Sequence, residues 1–282
     1  MRALKVAVSG ASGFVGRHVV TALERAGISP TLWVRPSSSL PERSEHRVVR
    51  VDVPGPPEQL FDQLGRPDSL IHLAWGGLPN YQSLHHYEQE LPAHYRLLKQ
   101  LVRDGLSNLV VAGTCFEYGL QSGALAETMA ADPANPYALA KDTLRRQLQC
   151  LQRELPFALT WARLFYLHGE GQAQTALLPQ LRQAVAAGAP LFAMSGGEQL
   201  RDYLPVEQAA DHLVALAGKQ REHGVVNVCS GRPISVRSLV EGWIAANRWQ
   251  IGLDLGRYPY PAHEPMAFWG DNAKLTQCLD AF

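Results

Sequence analysis

The chain has 282 residues, with 26 Lys and Arg against 26 Asp and Glu, and 46% of it is apolar. A formal charge of zero offers no field to a nucleic-acid backbone, and the apolar content excludes a disordered chain. No apolar run nears the roughly 20 residues of a membrane span. Gly10, Gly13 and Gly16 interrupt any signal-peptide core. Cys115, Cys150, Cys229 and Cys278 are scattered without a C-x-x-C pair and read as free thiols of a reducing cytoplasm.

In chain order, Leu4–Val8 predicts a strand and Val15–Arg25 a helix with Val15, Val19, Ala22 and Leu23 on one side. Pro30–Val34, Val48–Val51, Leu70–Leu73 and Leu109–Ala112 have the length and composition of buried strands. Helical periodicity covers Pro57–Leu64, Leu84–Arg103 and Tyr137–Glu154, and Phe157–Arg163 adds another strand. Continuous apolar strands alternating with helices predict an α/β, Rossmann-type doubly wound parallel sheet. Its ligand would lie outside the carboxyl ends of the strands. After Arg163, glycines and prolines break the chain into short pieces, with a helix at Val206–Leu216 and a strand at Gly224–Cys229. The reading is a dinucleotide-binding part over residues 1–164, rejoined by 201–228, and a smaller substrate lobe within 165–282.

Gly10-Ala11-Ser12-Gly13-Phe14-Val15-Gly16 follows the first strand and opens the first helix. The glycines permit a tight turn, close approach of a pyrophosphate, and helix-to-strand packing. The diphosphate then meets amides at a helix N-terminus. After the second strand, Arg35 and Ser37 stand where a carboxylate would select NAD, so NADP is preferred to NAD. Asp52, with Val53 beside it, ends the third strand and could accept from the adenine amino group.

Tyr137 and Lys141 are four apart on a helical segment and so share one face. An ammonium near a phenol lowers the phenol pKa, so Tyr137 could pass a proton to a carbinol oxygen during hydride transfer. Gly113-Thr114-Cys115-Phe116-Glu117-Tyr118-Gly119 follows the fifth strand. It resembles the Ser-Ser-x-x-Val-Tyr-Gly strand end of the extended short-chain dehydrogenase/reductase superfamily. The resemblance implies that Thr114 is the catalytic hydroxyl beside Tyr137 and Lys141. Arg163-Leu164-Phe165-Tyr166-Leu167-His168-Gly169 resembles the segment of that family which lies beside nicotinamide and sugar. This implicates Leu164 for the cofactor and Tyr166 for the sugar. Arg201-Asp202-Tyr203-Leu204-Pro205-Val206 resembles its Arg-Asp-(Tyr/Phe)-x-x-Val signature, which implies that Arg201 holds a sugar-nucleotide diphosphate. Leu177-Leu178-Pro179 and Gly196-Gly197-Glu198-Gln199 would wall the nucleotide end. Leu73-Ala74-Trp75 matches the segment along the cofactor, with Trp75 where a small residue is usual, narrowing the sugar pocket.

Departures from the pattern select the reaction. The 4,6-dehydratases of this family carry Asp-Glu after the Thr, where this chain has Cys115 and Phe116, so dehydration is not expected. Both residues would instead border the substrate, Cys115 as a small packed side chain, while Glu117 is expected to point elsewhere. Tyr166 and Glu90 stand where 4-epimerases carry asparagines. The remaining set, Thr114, Tyr137 and Lys141, suits reduction at C4 of a nucleotide-diphosphate 4-keto-6-deoxyhexose for surface-polysaccharide or O-antigen sugars. The alternatives are a 4-epimerase with tightly bound NAD and a non-catalytic dinucleotide sensor. His72, His85, His86 and His94 read as solvated or pocket-lining rather than metal ligands, with His85 and His86 on different helix sides. Leu97, Leu98, Leu101 and Val102 form a stripe that is core or, by the resemblance, part of a four-helix homodimer interface. Trp243, Trp249, Trp269 and Tyr258-Pro259-Tyr260-Pro261 would either pack the lobe or build a stacking wall.

Overall fold

Seven apolar runs lie side by side as one all-parallel sheet. They are β1 (Val6–Ser9), β2 (Thr31–Val34), β3 (Val48–Arg50), β4 (Ser69–His72), β5 (Asn108–Thr114), β7 (Ala158–Leu164) and β11 (Gly224–Val228). Their spatial order is β3-β2-β1-β4-β5-β7-β11, and every pairing is parallel. The structure, a computed structural model, describes residues 3–39, 45–260 and 265–280.

Alternate strand residues feed two cores, which is why the runs are apolar on both faces. Leu109 and Val111 of β5 join Leu97, Leu98 and Leu101 of α3 (Leu91–Arg103) and Leu144 and Leu148 of α4 (Pro136–Leu151). Val110 faces the other side, where α1 (Phe14–Arg25) and α6 (Val206–Gly218) supply Val19, Leu23 and Leu213. The stripe Leu97, Leu98, Leu101 and Val102 is therefore core of the single chain. The short α2 (Leu60–Gln63) covers part of the span predicted as Pro57–Leu64.

Two local chemistries set the helices that matter for the site. Asn135 caps α4, its Oδ1 accepting from the Ala138 amide at 2.9 Å, and Pro136 follows at the first helical position. The long helix predicted over Leu84–Arg103 instead begins as a π-helical turn, His86–Glu90, before α3. Pro92 has no amide to give the ladder, and the Leu91 amide reaches back to the His86 carbonyl.

The smaller part holds β6 (Gly123–Leu125), β8 (Tyr166–His168), β9 (Leu191–Ala193), β10 (Leu200–Pro205), β12 (Pro233–Ser235), β13 (Gly252–Asp254) and β14 (Phe268–Gly270). They form a three-stranded sheet β12-β10-β8 and the pairs β13-β9 and β14-β6. The helices α5 (Leu177–Ala186) and α7 (Val236–Asn247) enclose a separate apolar cluster around Leu181, Phe192 and Val240, and α8 (Ala273–Asp280) sits against β11.

Candidate active site

The turn between β1 and α1 is shaped for a close anionic guest. Gly10 has φ of +70°, and a Cβ there would stand 2.9 Å from the Ala74 amide nitrogen. A Cβ on Gly16 would overlap the Gly10 carbonyl. Gly13 caps α1 without a side chain, so the first amides of the helix, at Phe14, Val15 and Gly16, are left to an external acceptor. Ser12 is half-buried in the same loop. These residues fit a dinucleotide diphosphate. Arg35 and Ser37 are exposed just after β2, and Arg50 braces their turn by donating to the Ser38 carbonyl at 2.8 Å. Asp52 is exposed, while Val53 packs against the core. Leu73 and Ala74 both donate backbone amides to the Ser9 hydroxyl, and Leu164 packs on the α1 side of the sheet.

Thr114 ends β5, and Tyr137 and Lys141 rise from the first turns of α4. All three are buried. Lys141 donates from Nζ to the Ala112 carbonyl at 2.9 Å. Burial drives its pKa from the ordinary lysine range down to about 7, although Glu117 and Glu90 pull the other way. The depressed phenol expected from the sequence is not what the structure shows. Burial pushes Tyr137 well above the usual tyrosine range, with Tyr81, Glu117 and Cys115 adding to it and Thr114 opposing. Lys141 Nζ stands 5.9 Å from the Tyr137 ring centroid, too far to outweigh that desolvation.

Glu117 points into the interior. It is fully buried beneath Thr114, where Oε1 accepts the Thr114 amide at 2.9 Å while the Thr114 hydroxyl accepts the Phe116 amide. The same carboxylate takes Trp161 Nε1 at 2.9 Å and Arg163 Nε at 2.7 Å. Thr114-Cys115-Phe116-Glu117 is a T-x-x-E capping box, a signal legible in the sequence that would have found this carboxylate. Cys115 is buried in a small aromatic cluster, and Phe116 contacts the rings of Tyr81 and Tyr166.

The histidines correct a second expectation. His72, His86 and His94 are wholly buried rather than solvated, and only His85 is partly exposed. They form a directed chain. Glu90 can only accept, so His94 Nε2 donates to it at 3.1 Å and His94 Nδ1 accepts from His72 Nε2 at 2.8 Å. His72 Nδ1 then accepts from the Ser9 hydroxyl at 2.8 Å. Burial lowers the pKa of both His72 and His94, which keeps the chain neutral. Burial favours the neutral acid at Glu90, yet hydrogen bonds from His94, the Gly76 amide and His85 hold it down to about 2. His85 and His86 face different surroundings: His85 is partly exposed and bonds Glu90, while His86 is buried against Trp75 and the Asn80 carbonyl. Trp75 Nε1 donates to His86 Nδ1 at 3.1 Å. Among the described residues no group of three or more His, Cys, Asp or Glu is arranged to hold a metal.

Past Tyr166 a cavity of about 290 Å³ opens within the smaller part, bounded by Tyr166, Phe192, Gln199, Arg201, Tyr203 and Tyr258. Arg201 is buried, with its guanidinium 4.5 Å from the Phe268 ring centroid. Asp202 accepts from Ser230 and Gly231, and Asp211 pairs with Arg25. Leu177 lines the cavity, whereas Leu178, expected there, is buried in the first turn of α5. Trp243 packs on His168, Trp249 joins the lobe core, Trp269 lies on β14, and Pro261 falls outside the described residues.

The family model of the NAD dependent epimerase/dehydratase family matches residues 6–229. A dTDP-6-deoxy-L-talose 4-dehydrogenase (NAD(+)) of Aggregatibacter actinomycetemcomitans is 27% identical, over 95% of this chain and 99% of its own length. A UDP-glucose 4-epimerase of Neisseria meningitidis serogroup C is 24% identical, over 95% of this chain and 89% of its own. Among solved structures, MoeE5 in complex with UDP-glucuronic acid and NAD superposes with a TM-score of 0.83 at 26% identity, covering 98% of this chain and 92% of that one.

Proposed function

The chain belongs to the NAD-dependent epimerase/dehydratase family, and from that premise we propose that it reduces the C4 keto group of a nucleotide-diphosphate 4-keto-6-deoxyhexose. The observation that carries the reading is the burial of Thr114, Tyr137 and Lys141, with Lys141 Nζ 5.9 Å from the Tyr137 ring centroid. A protonated phenol at this place can donate to a ketone oxygen as hydride reaches its carbon. Thr114 orients that oxygen, and the Glu117 carboxylate fixes Thr114 from below. Lys141 sits one turn behind Tyr137 and holds the cofactor ribose. When bound, the nicotinamide supplies the hydride. Arg201, at the wall of the cavity, takes the sugar-nucleotide diphosphate as a planar fork. A relative named for oxidising C4 of a 6-deoxyhexose runs the same chemistry in reverse.

NADPH is the proposed reductant, because Arg35 and Ser37 present a cation and a hydroxyl where β2 ends. The NAD(+) in that relative's name makes NADH the competitor to measure beside it. The second reading, a 4-epimerase holding NAD, is favoured by the UDP-glucose 4-epimerase likeness. In either reading the protein works in the cytoplasm on polysaccharide precursors, as a homodimer through the outer faces of α3 and α4. Among the described residues no helix is long and apolar enough to cross a membrane.

The test mixes the protein with NADPH or NADH and dTDP-, CDP- or GDP-4-keto-6-deoxyhexoses and follows absorbance at about 340 nm, where reduced nicotinamides absorb. Stoichiometric loss is the expected result. Conversion of a UDP-hexose at C4 without net loss of cofactor would replace the reductase by the epimerase. Tight dinucleotide binding with no turnover on any sugar would leave the sensor.

A further inference from the structure

Lys141 is 2% exposed, and what surrounds its ammonium is unusual for a buried cation. Its ammonium donates to the Ala112 carbonyl at 2.9 Å. Above it lies the face of Trp75, with Nζ 3.9 Å from the ring centroid. The same indole stacks on His94, with centroids 4.5 Å apart and planes at 14°. The indole cannot slide, because Nε1 is tied to His86, whose Nε2 donates to the Asn80 carbonyl at 2.8 Å. His94 cannot turn either, being fixed by His72 on one side and Glu90 on the other. The histidines thus brace an aromatic plate whose face meets one lysine.

We infer that Trp75 is a positioning residue: clamped by His94 and His86, it holds Lys141 as a cation beside Tyr137 in a site that burial would otherwise neutralise. A ring face attracts a desolvated cation more strongly than a hydrated one. The other groups around Lys141 are neutral His72 on β4 and His94 on α3, Glu90 on the π-helical turn, Glu117 on the turn after β5, and Tyr137 on α4. Only the two carboxylates add attraction, and both are already engaged by other donors. This role differs from the narrowing of a sugar pocket expected from the sequence, and it rests on the proposed function only in that Lys141 belongs to the cofactor site.

The test needs neither substrate nor cofactor, so its failure would not be that of the proposed reaction. The chain has five lysines, Lys5, Lys99, Lys141, Lys219 and Lys274, so side-chain ¹⁵N resonances of lysine-labelled protein can be followed against pH. Lys141→Met assigns the signal. In the wild type Lys141 should titrate near 7, far below the exposed lysines. Trp75→Leu should lower that midpoint by about one unit, a ~tenfold fall in the ratio of charged to neutral lysine at fixed pH. Trp75→Phe should fall between, and the other four lysines should stay still. If Trp75→Leu does not fold, the smaller downward shift in Trp75→Phe carries the test alone. An unmoved or raised midpoint in the folded variant overturns the inference, as does a wild-type Lys141 that titrates with the exposed lysines.

Discussion

Beneath Thr114, Glu117 and Arg163 meet as full charges in a site closed to water; across Lys141, His72, His94 and Trp75 meet as neutral rings that reach charge only at Glu90. The two networks flank the same short set of residues. The first pins backbone: its carboxylate accepts the amide of Thr114 and two side-chain donors, so the strand end cannot shift. The second bears on charge, since its indole faces the lysine ammonium. A site that must transfer a proton needs both fixed geometry and a tuned charge, and here the tasks fall to separate elements.

The comparison is tested most severely where the networks converge. Tyr137→Phe should cut turnover by about 10²–10⁴-fold while dinucleotide affinity, read by quenching of intrinsic fluorescence, stays close to wild type. A variant with wild-type kcat would remove the acid from the proposal. On the charged side, Glu117→Ala leaves the Arg163 guanidinium buried and unpaired and should cost about 3–5 kcal/mol in urea unfolding. A double change of Glu117→Leu and Arg163→Met should recover most of that loss, because the pair carries little net stability over apolar packing. Gly113→Ala acts on the same network more gently. Its Cβ would overlap Trp161 Nε1 and crowd Glu117 Oε1, so about 1–3 kcal/mol should be lost, with little effect on Lys141.

The smallest change belongs to the neutral side and carries a pH signature. Glu90 has a folded pKa of about 2 against 4.5 unfolded, so its stabilisation is complete above 4.5 and lost as pH falls toward 2. Glu90→Gln should therefore be about 1–2 kcal/mol less stable at pH 7, and the gap should close across that acid window. A gap of constant size at every pH would mean that the carboxylate charge does not hold the histidine chain.

What the sequence disclosed was local. The glycine turn, the Asn135-Pro136 start of α4 and the four-residue step from Tyr137 to Lys141 are all set within one turn of backbone. The two-sided burial of the strands is equally plain from their unbroken apolar runs. The networks escaped because their partners are distant in the chain: Ser9 lies 63 residues from His72, and His72 lies 22 from His94. Glu117 is the exception, since its capping box is contiguous. In the lobe, glycines and prolines masked α7, although Ser235 caps it by accepting the Ser238 amide at 3.0 Å.

The return of β11 to the free side of β7 governs how the molecule can be cut. A fragment ending at Leu164 would leave β7 as a bare ladder, open to pairing with other copies, and would strip α6 from α1. The segment that walls the cavity is thus looped out between two neighbouring strands, and more of it follows β11. Exchanging it between relatives is a graft with several seams, and a recombinant joined at one point should precipitate rather than change its sugar.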